Sequence, residues 1–74
     1  CKIYPNPFSN KTSIYFKNNS QRTFKLFDMM GRTVRSFLSS ENKIDIYKED
    51  LRRGIYFIQI IEGGSIQTKK IVLN

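Results

Sequence analysis

The chain has 74 residues, which is enough for one small domain but too few for two independent hydrophobic cores. Hydrophobic residues make up 39% of it, including six Phe and four Tyr, so we expect a folded core rather than disorder. The net charge of +7 favours contact with anionic partners, and the lack of any long apolar run argues against membrane insertion.

Short β-rich segments separated by polar turn residues recur along the whole sequence and predict an all-β protein. Within each segment apolar and polar residues alternate, which is the pattern of a half-buried strand. The predicted strands lie near residues 2–4, 12–16, 22–28, 32–38, 43–47, 55–61 and 66–73. Seven such strands predict an antiparallel Ig-like β-sandwich.

The first turn contains Pro5, Asn6 and Pro7, which end the first strand near Tyr4. Proline fixes its own φ and restricts the residue before it. This segment is therefore predicted to be extended and unpaired.

The third and fourth strands are joined by Asp28-Met29-Met30-Gly31-Arg32. We expect Asp28 to accept backbone hydrogen bonds at the start of a type I turn, and Gly31 to take the left-handed conformation that closes a bulged hairpin. A metal-binding or acid role for Asp28 would need a second carboxylate or a His at a suitable spacing, and none is present. One of Met29 and Met30 is expected in the core, with a soft contact surface for a partner as the alternative.

The sixth strand is preceded by Leu51-Arg52-Arg53-Gly54 and begins with Ile55-Tyr56. Leu51 is expected to cap the open end of the sandwich, and Gly54 permits a positive φ before the strand. Tyr56 is predicted to point inward, with its hydroxyl bonded back to the preceding loop. Arg52 and Arg53 are expected in solvent, with recognition of a carboxylate or phosphate as the alternative.

The segment 55–61 is apolar on both faces apart from Gln59, which predicts a central strand covered on both sides. The turn Glu62–Ser65 leads into the last strand. The 13 basic residues are dispersed and are expected on solvated strand faces. The predicted core consists of Phe24, Leu26, Val34, Ile46, Tyr56, Ile58, Ile60 and Ile71.

Catalytic and metal chemistry is not expected from this composition. There is no His, the single Cys1 has no partner for a disulfide or a zinc site, and the glycines form no phosphate-binding motif. We therefore expect no enzyme activity, no catalytic residue, no cofactor and no metal. The terminal position of Cys1 indicates a boundary residue, and whether it is native is left open.

Four motifs in a fixed order resemble the type A C-terminal sorting domains of the type IX secretion system, which is also called the Por secretion system. Ile3–Phe8 is similar to the opening "YPNP" element, and Leu26–Val34 to the "vyDllGrxv" hairpin. Leu51–Ile58 is similar to "LpaGiYfv", and Lys69–Asn74 to the terminal "kkvvl" strand. Arg52-Arg53 departs from the usual Pro-Ala and makes that loop more basic. The resemblance gives structural roles to Pro5, Asn6, Pro7, Asp28, Gly31, Arg32, Leu51, Gly54 and Tyr56.

The resemblance implies that residues 1–74 are a single sorting domain, excised from a larger secreted protein. It further implies passage through the periplasm and recognition by an outer-membrane translocon, with a shuttle protein and a sortase as further partners. The parent protein would end at the cell surface or in the medium. Recognition is expected at the last strand, whose open edge offers unpaired backbone groups and charged lysines, unless these residues only complete the fold. The expected recognition residues are Lys69, Lys70, Ile71, Val72, Leu73 and Asn74.

Two other classes of function remain open for a basic all-β chain. A nucleic-acid-binding barrel could stack bases on exposed Tyr15, Phe27 and Tyr47 beside cations. A carbohydrate-binding sandwich could stack sugars on aromatic side chains, although the absence of Trp argues against it. The sorting domain is the favoured hypothesis, and it predicts no nucleic-acid partner.

Overall fold

The computed structural model describes all 74 residues and contains seven strands and no helix, so it has no helix that could cross a membrane. Every predicted strand is confirmed to within one residue at each end. Two antiparallel sheets have the strand orders β1-β2-β5 and β4-β3-β6-β7, which confirms the predicted sandwich. The strands are β1 Lys2–Tyr4, β2 Lys11–Tyr15, β3 Arg22–Phe27, β4 Thr33–Ser39, β5 Lys43–Tyr47, β6 Gly54–Glu62 and β7 Ser65–Leu73.

The core is formed mainly by the side chains that both sheets direct inward, because successive residues of a strand point to opposite faces, and Phe8 and Leu51 join it from outside the strands. Seven of the eight predicted core residues are buried, and Val34 is the exception. The twelve residues of the core are Phe8, Ile14, Phe24, Leu26, Ile44, Ile46, Leu51, Tyr56, Ile58, Ile60, Ile71 and Leu73.

The prediction that Val34 is buried is wrong, because the core-facing residues of β4 are its odd-numbered ones. Arg35 pairs with Leu26 and Phe37 with Phe24, and the Phe24 and Phe37 rings stack at 5.0 Å. The register shifts between Leu26 and Phe27, so that Val34 has no partner on β3 and is 37% exposed. A bulge of this kind re-aims side chains, and the sequence of β4 has no clean alternation that would reveal it.

Strand β6 lies inside the four-stranded sheet between β3 and β7, as its apolar sequence predicts. Its even-numbered residues are buried, whereas Ile55, Phe57, Gln59 and Ile61 are half-buried on the outer face. The predicted cover on both sides is wrong, because the structure has two layers and nothing lies over this outer face.

Two arginines that were expected on solvated strand faces instead link different strands through hydrogen bonds. Arg22 is only 3% exposed, and its Nε donates to Glu62 Oε1 at 2.8 Å while its guanidinium lies 3.7 Å from the centre of the Phe16 ring. Arg35 donates to the backbone carbonyls of Tyr47 and Lys48, which links β4 to the end of β5. Each cation is satisfied by acceptors, which is the condition for holding a charge away from water.

Candidate functional site

All four sequence motifs meet at one end of the sandwich. Gly54 pairs with Leu73 and Phe27 with Phe57, so the start of β6, the end of β7 and the β3–β4 turn lie together. Phe8 bridges to Leu73 and brings the opening segment to the same place. We call this region the motif end, and it comprises residues Tyr4–Phe8, Asp28–Arg32, Leu51–Gly54 and Lys70–Asn74.

The Asp28–Arg32 turn is held by the carboxylate of Asp28, as predicted. Oδ1 accepts from the backbone amides of Met30 at 2.9 Å and Arg32 at 3.0 Å, and Oδ2 accepts from Arg32 Nε at 2.9 Å. Gly31 has φ 82°, the left-handed conformation that was expected of it. The Arg32 amide, with further help from the Arg32 side chain and the Met30 amide, holds the pKa of Asp28 below its ordinary value.

The loop before β6 also has the predicted geometry. Leu51 is buried in the core, and Gly54 has φ 148°. Tyr56 points inward, and its hydroxyl donates to the Arg52 carbonyl at 2.6 Å, so the strand is tied back to the loop. Arg52 and Arg53 are exposed and form no salt bridge. Two unpaired guanidinium groups are therefore presented on a fixed loop.

The expectation that Met29 or Met30 fills the core is wrong. Met29 is 63% exposed and Met30 80%, because both lie at the tip of the turn beyond the last core layer. Together with Val34 and Ile55 they line an open groove of about 500 Å³ between the turn and the loop, and Arg52 and Arg53 complete its wall. An exposed patch of flexible apolar side chains beside unpaired cations is typical of a docking surface.

The opening segment is not extended and unpaired, as was predicted, but folds back along the edge of β7. The Tyr4–Pro5 and Asn6–Pro7 peptide bonds are both cis. The Asn6 side chain donates to the Lys70 carbonyl at 3.0 Å and accepts from the Val72 amide at 2.9 Å, as a neighbouring strand would. Phe8 then continues the pairing, giving its amide to Val72 and accepting from the Asn74 amide.

The edge of β7 is therefore covered over Lys70–Asn74, which contradicts the expected exposure of its backbone there. Among the six expected recognition residues, Ile71 and Leu73 are core side chains, while Lys69 and Val72 are half-buried. Only Lys70 and Asn74 are exposed. Lys69 and Lys70 are consecutive in the strand and point to opposite faces of the sheet.

The sequence missed two residues that hold the motif end together. Phe8 is a fully buried core side chain, and the buried Thr12 hydroxyl donates to the Pro5 carbonyl at 2.6 Å. Asn6 was given a structural role, but its bonds to a strand 64 residues away were not predicted. An apolar residue directly after the proline turn was a usable signal for Phe8. No local pattern indicates the contacts of Asn6, because its partners are distant in sequence.

The three aromatic residues considered for base stacking do not form one platform. Tyr15 and Tyr47 lie on the outer face of the three-stranded sheet, whereas Phe27 is half-buried on the outer face of the other sheet. The structure contains no group of three or more side chains that could ligate a metal ion. The exposed methionines and arginines make the motif end the candidate docking surface.

The sequence matches a known protein family over nearly its whole length. A family model described as "Secretion system C-terminal sorting domain" matches residues 2–74 and so includes every part of the motif end. No curated protein sequence matches the chain significantly.

Proposed function

Because the chain belongs to the family of secretion system C-terminal sorting domains, we propose that the type IX machinery recognises it at the folded motif end. The chain is a C-terminal sorting signal for type IX secretion, which directs export to the cell surface or the medium. The observation that carries the proposal is the meeting of all four motifs at one end.

The groove lined by Met29 and Met30 supplies the contacts for this recognition. Met29 and Met30 offer apolar surface that fits an apolar side chain of a partner, and Arg52 and Arg53 can pair with carboxylates on its rim. The turn and the loop are each fixed by internal hydrogen bonds, so little conformational entropy is lost when a partner binds.

The last strand contributes in two ways under this proposal. Ile71 and Leu73 anchor it in the core and keep the motif end in shape. Lys70 and Asn74, which are exposed, extend the bound surface next to the opening segment. The half-buried Lys69 and Val72 support that surface from within the strand. Because the opening segment covers the backbone edge of Lys70–Asn74, a receptor does not pair with that edge.

We further propose that the outer-membrane translocon acts with a shuttle protein and a sortase, and that the parent protein passes through the periplasm first. Removal of the domain by the sortase, followed by surface attachment or release, would complete the sequence. The domain itself is proposed to be non-catalytic. The lack of any His and the scattered arrangement of the carboxylates support this role.

An export assay tests the proposed surface. Residues 1–74 are fused behind a fluorescent reporter that carries an inner-membrane leader, in a bacterium with the type IX system. We expect the wild-type fusion outside the outer membrane. Met29→Ser with Met30→Ser, or Arg52→Ala with Arg53→Ala, should leave the reporter in the periplasm, because each pair removes part of the proposed contact surface. All four side chains are exposed, so their loss should have little effect on folding.

Matched controls remove exposed apolar or cationic side chains at the opposite end of the sandwich. Leu38→Ser with Ile66→Ser removes two equally exposed apolar side chains, and Lys2→Ala with Lys17→Ala removes two exposed cations. Both controls should be exported normally. Normal export of the two motif-end variants, or periplasmic retention of both controls, would overturn the proposal that the motif end is the recognised surface.

A further inference from the structure

The outer face of the three-stranded sheet carries three of the four tyrosines of the chain, and each is at least one-third exposed. Lys2, Tyr15 and Lys43 form one row across the three strands, and Lys11 pairs with Tyr47 in another. We call this the tyrosine–lysine face, and it comprises Tyr4, Tyr15, Tyr47, Lys2, Lys11 and Lys43. No other layer of the domain covers it.

Two of its lysines are held beside aromatic rings and lack a carboxylate partner. Lys2 Nζ lies 5.9 Å from the centre of the Tyr4 ring, and Lys11 Nζ lies 6.0 Å from that of Tyr47. These distances are at the outer limit of a cation–π contact, so each ammonium remains available to an anion. Lys43 is 3.9 Å from Asp45 and is the one lysine of the face in a salt bridge.

A hydrogen-bond acceptor occupies the centre of the face. Ser13 lies between Tyr4 and Asp45 in the cross-strand register, and its hydroxyl donates to Asp45 Oδ1 at 2.6 Å. That hydrogen bond, followed by the nearby lysines, holds the pKa of Asp45 below its ordinary value, so the group is a carboxylate at neutral pH. Asp45 Oδ2 has only a weak partner, the Tyr47 hydroxyl at 3.5 Å.

We propose that the tyrosine–lysine face binds an acidic polysaccharide. Tyrosine rings pack against the apolar faces of sugar rings, and the unpaired ammonium groups of Lys2 and Lys11 pair with the carboxylates of the sugars. The hydroxyl groups of the sugars donate to Asp45. A DNA single strand fits less well, because its sugar–phosphate backbone has no hydroxyl groups along its length to donate to Asp45.

The area of the face is suited to a polymeric ligand. Three strands and three rows of side chains give a flat area of roughly 10 by 14 Å, which accepts several linked rings and does not enclose a single one. Beyond Tyr15 and Lys2 the face continues into an open groove of about 520 Å³, whose lining includes Lys17 and Arg22. The face shares only Tyr4 with the motif end, and it includes neither the methionines of the β3–β4 turn nor Arg52 and Arg53.

Binding of polygalacturonate to the purified chain tests the proposal, with neutral dextran and single-stranded dT oligonucleotide as competing ligands. We expect saturable binding to polygalacturonate that weakens with salt, and at least roughly tenfold weaker binding to the other two. Tyr4→Ser with Tyr47→Ser should also weaken binding to polygalacturonate, since the stacking surface is lost. Unchanged far-ultraviolet spectra and melting temperatures confirm that each variant is folded.

Two triple variants of equal net charge distinguish binding at this face from nonspecific attraction to the basic chain. Lys2→Gln, Lys11→Gln and Lys43→Gln together should weaken binding roughly tenfold, whereas Lys25→Gln, Lys48→Gln and Lys70→Gln together should change it less than about twofold. Equal losses in the two triple variants would overturn the proposal. Oligonucleotide binding as tight as that of polygalacturonate, or dextran binding as tight, would also overturn it, because the ligand class would then be wrong.

Discussion

Asp28 makes the β3–β4 turn sensitive to acid. Its carboxylate accepts two backbone amides and the Arg32 guanidinium, and these bonds lower its pKa below the ordinary value of 3.8. A pKa that is depressed on folding adds stability above the unfolded value, and this stability is lost as the pH falls through the folded value.

Asp28→Asn is therefore expected to lower the melting temperature near neutral pH, because a neutral amide accepts these donors more weakly. The difference from wild type should shrink at pH values below 3.8, where the wild-type carboxyl becomes protonated. Circular dichroism melts between pH ~7 and pH ~2 measure it. Asp50→Asn, at a nearly fully exposed position, is the matched control and should change the melting temperature little. A constant gap at all pH values would contradict the assigned role of the charge.

At the residue scale, the sequence predicts side chains well where local geometry decides. Gly31 and Gly54 have positive φ and Tyr56 bonds back to its loop, as the turn patterns indicate. Val34, and one of Met29 and Met30, were wrongly expected in the core, because their positions depend on the register of β4 and on the length of the turn. A shift of one residue in a strand moves a side chain to the other face, and apolar character alone does not determine the register.

At the scale of elements, β7 owes its protection to the opening segment. The side-chain amide of Asn6 replaces the backbone of a neighbouring strand, because it donates to the Lys70 carbonyl and accepts from the Val72 amide. The backbone of Phe8 continues this pairing with Val72 and Asn74. No strand neighbours that edge of β7, and the opening segment covers it only from Lys70 to Asn74. Since an uncovered edge can pair with another chain, this cover keeps the last strand from associating with other molecules.

Asn6→Ala should loosen the attachment of the opening segment to β7. The loss of two partly solvated hydrogen bonds is expected to lower the free energy of unfolding by about 1–2 kcal/mol. The backbone amides of Val72 and Asn74 should exchange with solvent faster by roughly tenfold, because their acceptors lie in this segment. Denaturant titration and amide exchange measured by nuclear magnetic resonance provide the two values.

The control for this variant is Asn10→Ala, four residues further along the same segment. The Asn10 side chain makes no hydrogen bond, although its backbone carbonyl accepts from the Lys48 amide. Stability and exchange at Val72 should remain at the wild-type values. If Asn6→Ala matched this control in both measurements, the side chain of Asn6 would not hold β7.

At the scale of the whole molecule, the strands and the fold class follow from alternation and turn residues alone. The sequence could not predict that Phe8 pairs with Leu73, or that the Asp28–Arg32 turn lies beside the loop Leu51–Gly54. Those contacts join residues distant in the chain, and they depend on how the two sheets are ordered. From the sequence, recognition was therefore predicted at the last strand, and we propose instead the composite surface to which that strand contributes.

Deleting Ile71–Asn74 is expected to unfold the domain, because the last strand is part of the core. Ile71 and Leu73 are fully buried, and loss of each such side chain costs roughly 2–5 kcal/mol. The whole stability expected for a chain of this size is only about 4–11 kcal/mol. Loss of the cooperative thermal transition is the measurement, and deletion of Asn74 alone, which removes one backbone hydrogen bond, is the folded control. Failed export of the longer deletion would then report unfolding and would not identify a recognition residue. A cooperative melt close to that of wild type would instead mean that the last strand is dispensable for the fold, so its export defect could be assigned to recognition.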